Sequence, residues 1–211
     1  MEYTQVRICT RGWLSFNLTG NSSTNEFLFN SSVPNNTIAP WWDNLDASAS
    51  LSFVSYNTTG STPNRVFTVE WHRAKTYVGA SARVTFQVKL FESSNVIEFH
   101  YGTPNGGSHS SFEGASIGIE DATGGTNHFI EATTGSTTTG VTNLVSPGNW
   151  PAVNYRFTPP VATENFNNLK ISKSGNQVSF NCNANVAGSL TVNTGATLKI
   201  TFPRTIAVNG Y

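Results

Sequence analysis

The chain has 211 residues, 37% of them hydrophobic, enough for one full-sized core and part of a second. Only 11% are charged, against about 25% in an average soluble domain, and twelve basic residues balance twelve acidic ones. No field of one sign exists to attract nucleic acid or an anionic membrane, and no apolar run approaches the roughly 20 residues of a membrane helix, so neither nucleic-acid binding nor membrane insertion is expected. Fourteen Phe, five Trp and six Tyr stand against a single Met. With abundant Thr and Val they suit half-buried pleated surfaces, and the class predicted is all-β. The missing charge is replaced by Ser, Thr, Asn and Gly, a surface that suits work outside cells.

In chain order, residues 1–11 lack the apolar stretch of a signal peptide, so an export signal is expected elsewhere. Strands are predicted at residues 4–9 and 13–16. A turn-like segment follows around Pro40 to Ala47, with at most a turn or two of helix near Asp43. Residues 51–56 read as a strand, and at 65–71 the alternation is clear: Phe67, Val69 and Trp71 share one face while Thr68 and Glu70 take the other. Residues 82–91 repeat it, with Val84, Phe86, Val88 and Leu90 inward. Residues 95–101 follow after the Ser93-Ser94-Asn95 turn, so the two runs form a hairpin. Short strands at 115–120, 128–131 and 154–157 complete an antiparallel β-sandwich, jelly-roll-like, over residues 1–158.

Residues 159–168, with Pro159-Pro160 and few apolar anchors, read as an interdomain linker. Beyond it, residues 169–211 hold short apolar runs at 169–171, 177–182, 189–192 and 197–202, a small second β unit. The run from Gly188 to Ile200 resembles a rung of bacterial β-solenoid repeats, and a small sandwich is the competing arrangement. Cys9 and Cys182 allow one bridge, an intermolecular bridge or two buried thiols. The last is favoured, because a bridge would join segments in different units.

Chemistry-bearing residues are sparse. Asp43, Asn44 and Asp46 offer hard oxygen ligands, and Asp43 with Asp46 suit calcium, against turn capping by the same side chains. No other cofactor is expected. Trp41 and Trp42 would offer a flat surface for stacking sugars, but adjacent residues of an extended chain face opposite ways, so at least one belongs to the core. Glu70, Glu92, Glu98 and Glu120 sit on strands, and a glycosidase would need two of them to flank a glycosidic bond; ordinary surface carboxylates are the plainer reading. His72, His100, His109 and His128 show no metal-binding spacing, and no nucleophile elbow is present. Sequons occur at Asn17, Asn21, Asn30, Asn35 and Asn57, and residues 133–142 form a Thr-rich low-complexity stretch expected to be a mobile tip.

The run Asn36-Thr37-Ile38-Ala39-Pro40-Trp41-Trp42-Asp43-Asn44-Leu45-Asp46 resembles the Pro-aromatic-Trp-Asp signature of nidogen-like extracellular domains. The blocks from Pro63 to Trp71, Thr85 to Glu92 and Ile97 to Gly102 are similar to matching blocks of bacterial secreted proteins. The likeness runs over about residues 4 to 157. It implies a module of a larger protein, secreted or fixed to the cell surface, of the kind found in Bacteroidetes-type bacteria, where a separate C-terminal domain does the sorting. In that family a further strand precedes the region resembling residues 3–16. Without it a sheet edge stands open for pairing in trans; the plainer alternative is that the fold begins here.

The function expected is a non-catalytic extracellular adhesion or ligand-binding module, with Trp41, Trp42, Asp43, Asn44 and Asp46 as candidate ligand residues. The loops at Pro40 to Ala47 and Gly102 to Glu113 would present the site. A glycan is the first ligand to test and a surface protein the second. Two rivals stand: a structural spacer or filament subunit forming homo-oligomers through sheet edges, and a glycan-cleaving hydrolase.

Overall fold

The alternating runs become strands because every second side chain finds an apolar partner on a facing sheet. The computed structural model describes residues 3–19, 34–76, 82–105, 115–132, 150–160, 163–172, 177–180, 182–200 and 205–209. It falls into two units, Met1–Thr158 and Pro159–Tyr211. The first contains β1 (Arg7–Cys9), β2 (Trp13–Ser15), β3 (Thr37–Trp42), β4 (Leu45–Asp46), β5 (Phe53–Thr59), β6 (Val66–Thr76), β7 (Arg83–Phe91), β8 (Ile97–Tyr101), β9 (Ser116–Glu120), β10 (Phe129–Glu131) and β11 (Tyr155–Phe157). A five-stranded sheet runs β1-β2-β3-β9-β10 and a six-stranded sheet runs β11-β8-β7-β6-β4, with β5 also paired to β6. All of these pairings are antiparallel.

The sheets close on one apolar core that includes Leu14, Ile38, Trp41, Val69, Trp71, Val84, Phe86, Val88, Phe99 and Ile117, all at most 3% exposed. Its centre is aromatic. Trp71 stacks on Phe86 at 5.1 Å, and Trp150 lies 4.6 Å from Trp41 and edge-on to Tyr101. One indole and one phenol of this core are anchored by hydrogen bonds, Trp71 Nε1 donating to Cys9 O (2.8 Å) and Tyr101 Oη to Pro40 O (2.6 Å).

The structure corrects the turn reading around Pro40 to Ala47. There is no helical turn near Asp43. Thr37–Trp42 is a fully buried strand and Leu45–Asp46 a short one. Pro40, which suggested a turn, sits where the register between β3 and β9 shifts between Ala39 and Trp42. A bulge is one of the few interior places a proline fits, since no ladder bond is asked of it there.

A second correction concerns residues 159–168. Thr163–Phe166 is a strand, β12, followed by β13 (Leu169–Ile171), β14 (Gln177–Phe180), β15 (Asn183–Val186), β16 (Leu190–Val192), β17 (Thr197–Ile200) and β18 (Ile206–Val208). Every pairing here is parallel: β12-β15-β18, β13-β16 and β14-β17. Parallel partners one turn of chain apart are the pairing expected of β-solenoid rungs rather than of an antiparallel sandwich. The rungs are stitched by side chains 20 to 22 residues apart. Asn185 Nδ2 donates to Asn165 Oδ1, Ser189 N to Asn168 Oδ1, and Thr205 N to Asn183 Oδ1. Ile171, Ala184 and Val186 are buried inside, and a side chain at Gly188 would collide with Asn168 Oδ1 and Asn167 O. Two rungs with the start of a third supply what a single rung lacks, a neighbour to cover its apolar face.

Candidate functional site

Trp41 and Trp42 point to opposite faces of β3, and both are buried. Trp41 belongs to the sandwich core; Trp42 packs with Trp13 and Ala39 on the outer side of the five-stranded sheet, 5.5 Å from the Trp13 ring. Neither ring is open for stacking on a sugar. Their position is set by the β1–β2 turn: Trp41 N donates to Gly12 O and Asp43 N to Arg11 O. Gly12 has φ +82°, and a Cβ there would lie 1.9 Å from Trp41 O.

The carboxylates of the same segment serve the chain itself. Asp43 Oδ1 accepts from Asn44 N at 2.6 Å, and Asp46 Oδ1 accepts from Ser48 N and Ser48 Oγ, which holds the Asp46 carboxyl below its usual range. Among the described residues no group of three or more His, Cys, Asp or Glu gathers as a metal site would require. Of the loop from Gly102 to Glu113, residues 106–113 lie outside the described residues, as do His109, Asn21, Asn30 and the Thr-rich stretch 133–142. Cys9 and Cys182 are free thiols, each half-buried, and burial pushes the Cys9 thiol up against the opposing pull of Arg11 and Arg7.

The polar groups that do come together lie on the outer face of the six-stranded sheet. Strand alternation puts Phe67, Val69 and Trp71 into the core and turns Thr68, Glu70 and His72 out. On β7 it turns out Thr85, Gln87 and Lys89, and on β8 Glu98 and His100. The registers then set rows across the strands. One is Ser55, Glu70, Gln87, His100; the next is Asn57, Thr68, Lys89, Glu98, Arg156.

Hydrogen bonds tie this face together. Gln87 Nε2 donates to Glu70 Oε2, and His72 Nδ1 is 3.1 Å from Glu70 Oε1. His100 Nε2 is 2.9 Å from Glu98 Oε2, Arg156 Nη1 donates to Glu98 Oε1, and Asn154 Nδ2 approaches His100 Nδ1. The hydrogen bond from His100, with the charges of His100 and Arg156, holds the Glu98 carboxyl below its usual range despite partial burial. At one margin the half-exposed Phe53 ring stacks on His72, 4.6 Å between centroids. A bulge at His72 and Arg73, where Arg73 adopts φ +50° and its N–H takes Thr85 Oγ1, fixes where His72 stands.

Sequence reasoning placed Glu70 and Glu98 on an outer face but passed over the histidines. The signal was there as a twice-repeated Glu-aromatic-His, at Glu70-Trp71-His72 and Glu98-Phe99-His100. With a two-residue period, each triplet buries its aromatic and places Glu beside His outside. Chemically the array offers acceptors, amide and guanidinium donors and one aromatic ring on a rigid support. A glycosidase acid needs a raised carboxyl, the reverse of Glu98, and Glu70 and Glu98 are separated by the whole of β7.

The remaining buried carboxyls lie on the other sheet. Burial pushes Glu120 and Glu131 up to about 7 each. Asp121 caps Thr123 and Gly124 and pairs with His128 at 2.8 Å.

A sequence model of the family described as NIDO related matches residues 1–160. No curated protein and no solved structure matches the chain.

Proposed function

The chain belongs to the nidogen-related family, and from that membership we propose that its sandwich is an extracellular, non-catalytic recognition module. Its contact surface is the outer face of the six-stranded sheet, and it works within a larger secreted or surface-anchored bacterial protein. The observation that carries this reading is the hydrogen-bonded array of Glu70, His72, Gln87, Glu98, His100 and Arg156, open to solvent on a sheet whose other face is the core. Donors and acceptors already held by neighbours lose little freedom when a ligand binds. Polyhydroxylated ligands, carbohydrates first, suit such mixed donors and acceptors beside the Phe53 ring. Among the described residues no helix is long and apolar enough to cross a membrane.

The test is a glycan array followed by calorimetric titration of the best hit. Saturable binding that falls about tenfold or more in Glu98→Ala and His72→Ala, and is unchanged in Asp46→Asn, is expected. Binding that ignores both face variants, or release of reducing sugar by the wild type, would overturn the reading.

A further inference from the structure

The sandwich has one edge unlike its others. β1, β4, β10 and β11 are two or three residues long, and each carries a charge: Arg7, Asp46, Glu131 and Arg156. Shortness and charge at an edge are how sheet proteins discourage pairing with another chain; on β10, where burial raises Glu131 to about 7, shortness is the main protection. β5 has neither protection. Its seven residues, Phe53-Val54-Ser55-Tyr56-Asn57-Thr58-Thr59, include no charge and no proline, and they pair with β6 in unbroken register from Phe53 opposite His72 to Thr59 opposite Val66. Among the described residues β6 is its only strand neighbour, and residues 55–59 are exposed.

Next to this edge the two sheets part. A trough of about 520 Å³ opens between β5 and the segment around β1, lined by apolar Val6, Ile8, Leu18, Tyr56 and Phe67 together with Thr4, Gln5 and Arg7. Tyr56 stands on the inner side of β5, opposite Val69, yet is 71% exposed. A large side chain on the core side of a strand with no core over it is half of a contact.

We propose that β5 is a homodimer interface, two copies pairing their β5 strands antiparallel about a two-fold axis through Tyr56. A second copy fits for three reasons. The strand is self-complementary in this register: Ser55 meets Asn57 of the partner subunit, Val54 meets Thr58 of the partner subunit, and no charges oppose. The inner-face side chains of each copy continue the six-stranded sheet toward the other copy's trough, so each copy gives and receives the same contact, as a two-fold interface requires. The chain's net charge of zero adds no repulsion at a distance. Pairing would add about six to eight main-chain hydrogen bonds. This inference stands apart from the ligand reading and survives its failure.

Sedimentation velocity of the full chain over a concentration series tests it. A reversible dimer is expected, and Tyr56→Lys should weaken it at least about tenfold while leaving the melt unchanged at concentrations where the wild type is monomeric, the side chain being exposed. In a chain with Cys9 and Cys182 replaced by serine, Tyr56→Cys should oxidise to a covalent dimer, because axial partners lie about 4.5–5.5 Å apart. Thr59→Cys in that background should not, its own copy falling near the far end of the paired strand. A wild type that stays monomeric would overturn the proposal and leave the edge to a foreign strand. So would a dimer indifferent to Tyr56→Lys, or equal cross-linking of the two cysteine variants.

Discussion

The two sheets of the sandwich treat their outward faces in opposite ways. On the five-stranded sheet the outward residues are as buried as the core: Trp13, Ser15, Thr37, Ala39 and Ser116 show no exposure and Trp42 2%. Arg7 lies over the Trp13 ring at 5.0 Å, and Glu120 and Glu131 are pushed up by burial. On the six-stranded sheet the outward residues are polar, partly exposed and bonded to one another. Identical alternation along the strands therefore yields a buried outward face on one sheet and a polar, partly exposed one on the other.

The sharpest way to break this comparison is to cut away an aromatic on the buried side. Trp13→Ala or Trp42→Ala should cost about 3–5 kcal/mol in chemical denaturation, the loss of a large core side chain. Gly12→Ala should be of similar severity, since the added carbon meets the Trp41 carbonyl. If both Trp variants cost under about 1 kcal/mol, the outer face of that sheet is not a second core.

Titration separates the faces next. Glu120 and Glu131 have folded values near 7, above their unfolded 4.5, so the folded state binds more protons between those limits. Their contribution to stability is fully present below about pH 4.5 and is lost as pH rises toward 7. Glu120→Gln should flatten that decline and stabilise the protein at pH 8 on the order of 1–2 kcal/mol. A melting profile with the same slope in the variant would contradict the burial of that carboxyl. Arg65 and Glu92 give the opposite sign at the exposed end of the sheet. Glu92 is held down to about 2 by hydrogen bonds from the Arg65 side chain and backbone, so what it contributes is present above pH 4.5 and fades as pH falls through about 2. Glu92→Gln should remove that acid limb alone.

On the displayed face, His72→Ala and Glu98→Ala should shift stability by no more than about 0.5–1 kcal/mol, as surface pairs do, whatever they do to binding. Added calcium or a chelator should leave the melt unchanged, because Asp43 and Asp46 already cap Asn44 and Ser48.

Much of the sandwich was legible because period two survives wherever a strand has one wet face, as in residues 65–71 and 82–91. β3 was not, because it is buried on both faces and carries Pro40; alternation vanishes when neither side meets water. β12, β15 and β18 were lost for a different reason. Parallel pairing across 20 to 22 residues leaves no hairpin turn to read, and Thr163–Phe166 is polar and mostly exposed. The candidate site fared worst. Trp41-Trp42-Asp43 drew the eye as a motif, yet its residues build the corner that holds β3 to the β1–β2 turn. The exposed array was spelled by two ordinary-looking triplets, 28 residues apart, that only sheet register brings into adjacent rows.

The stacked rungs of the C-terminal unit behave as a ruler. Each turn of chain repeats after 20 to 22 residues, and among the described residues its strands pair with those of the neighbouring rung. Inserting or deleting one such turn would alter the length of the stack by about 4.8 Å while leaving every other rung's contacts intact. Length in this part of the protein is thus a quantity that changes in fixed steps.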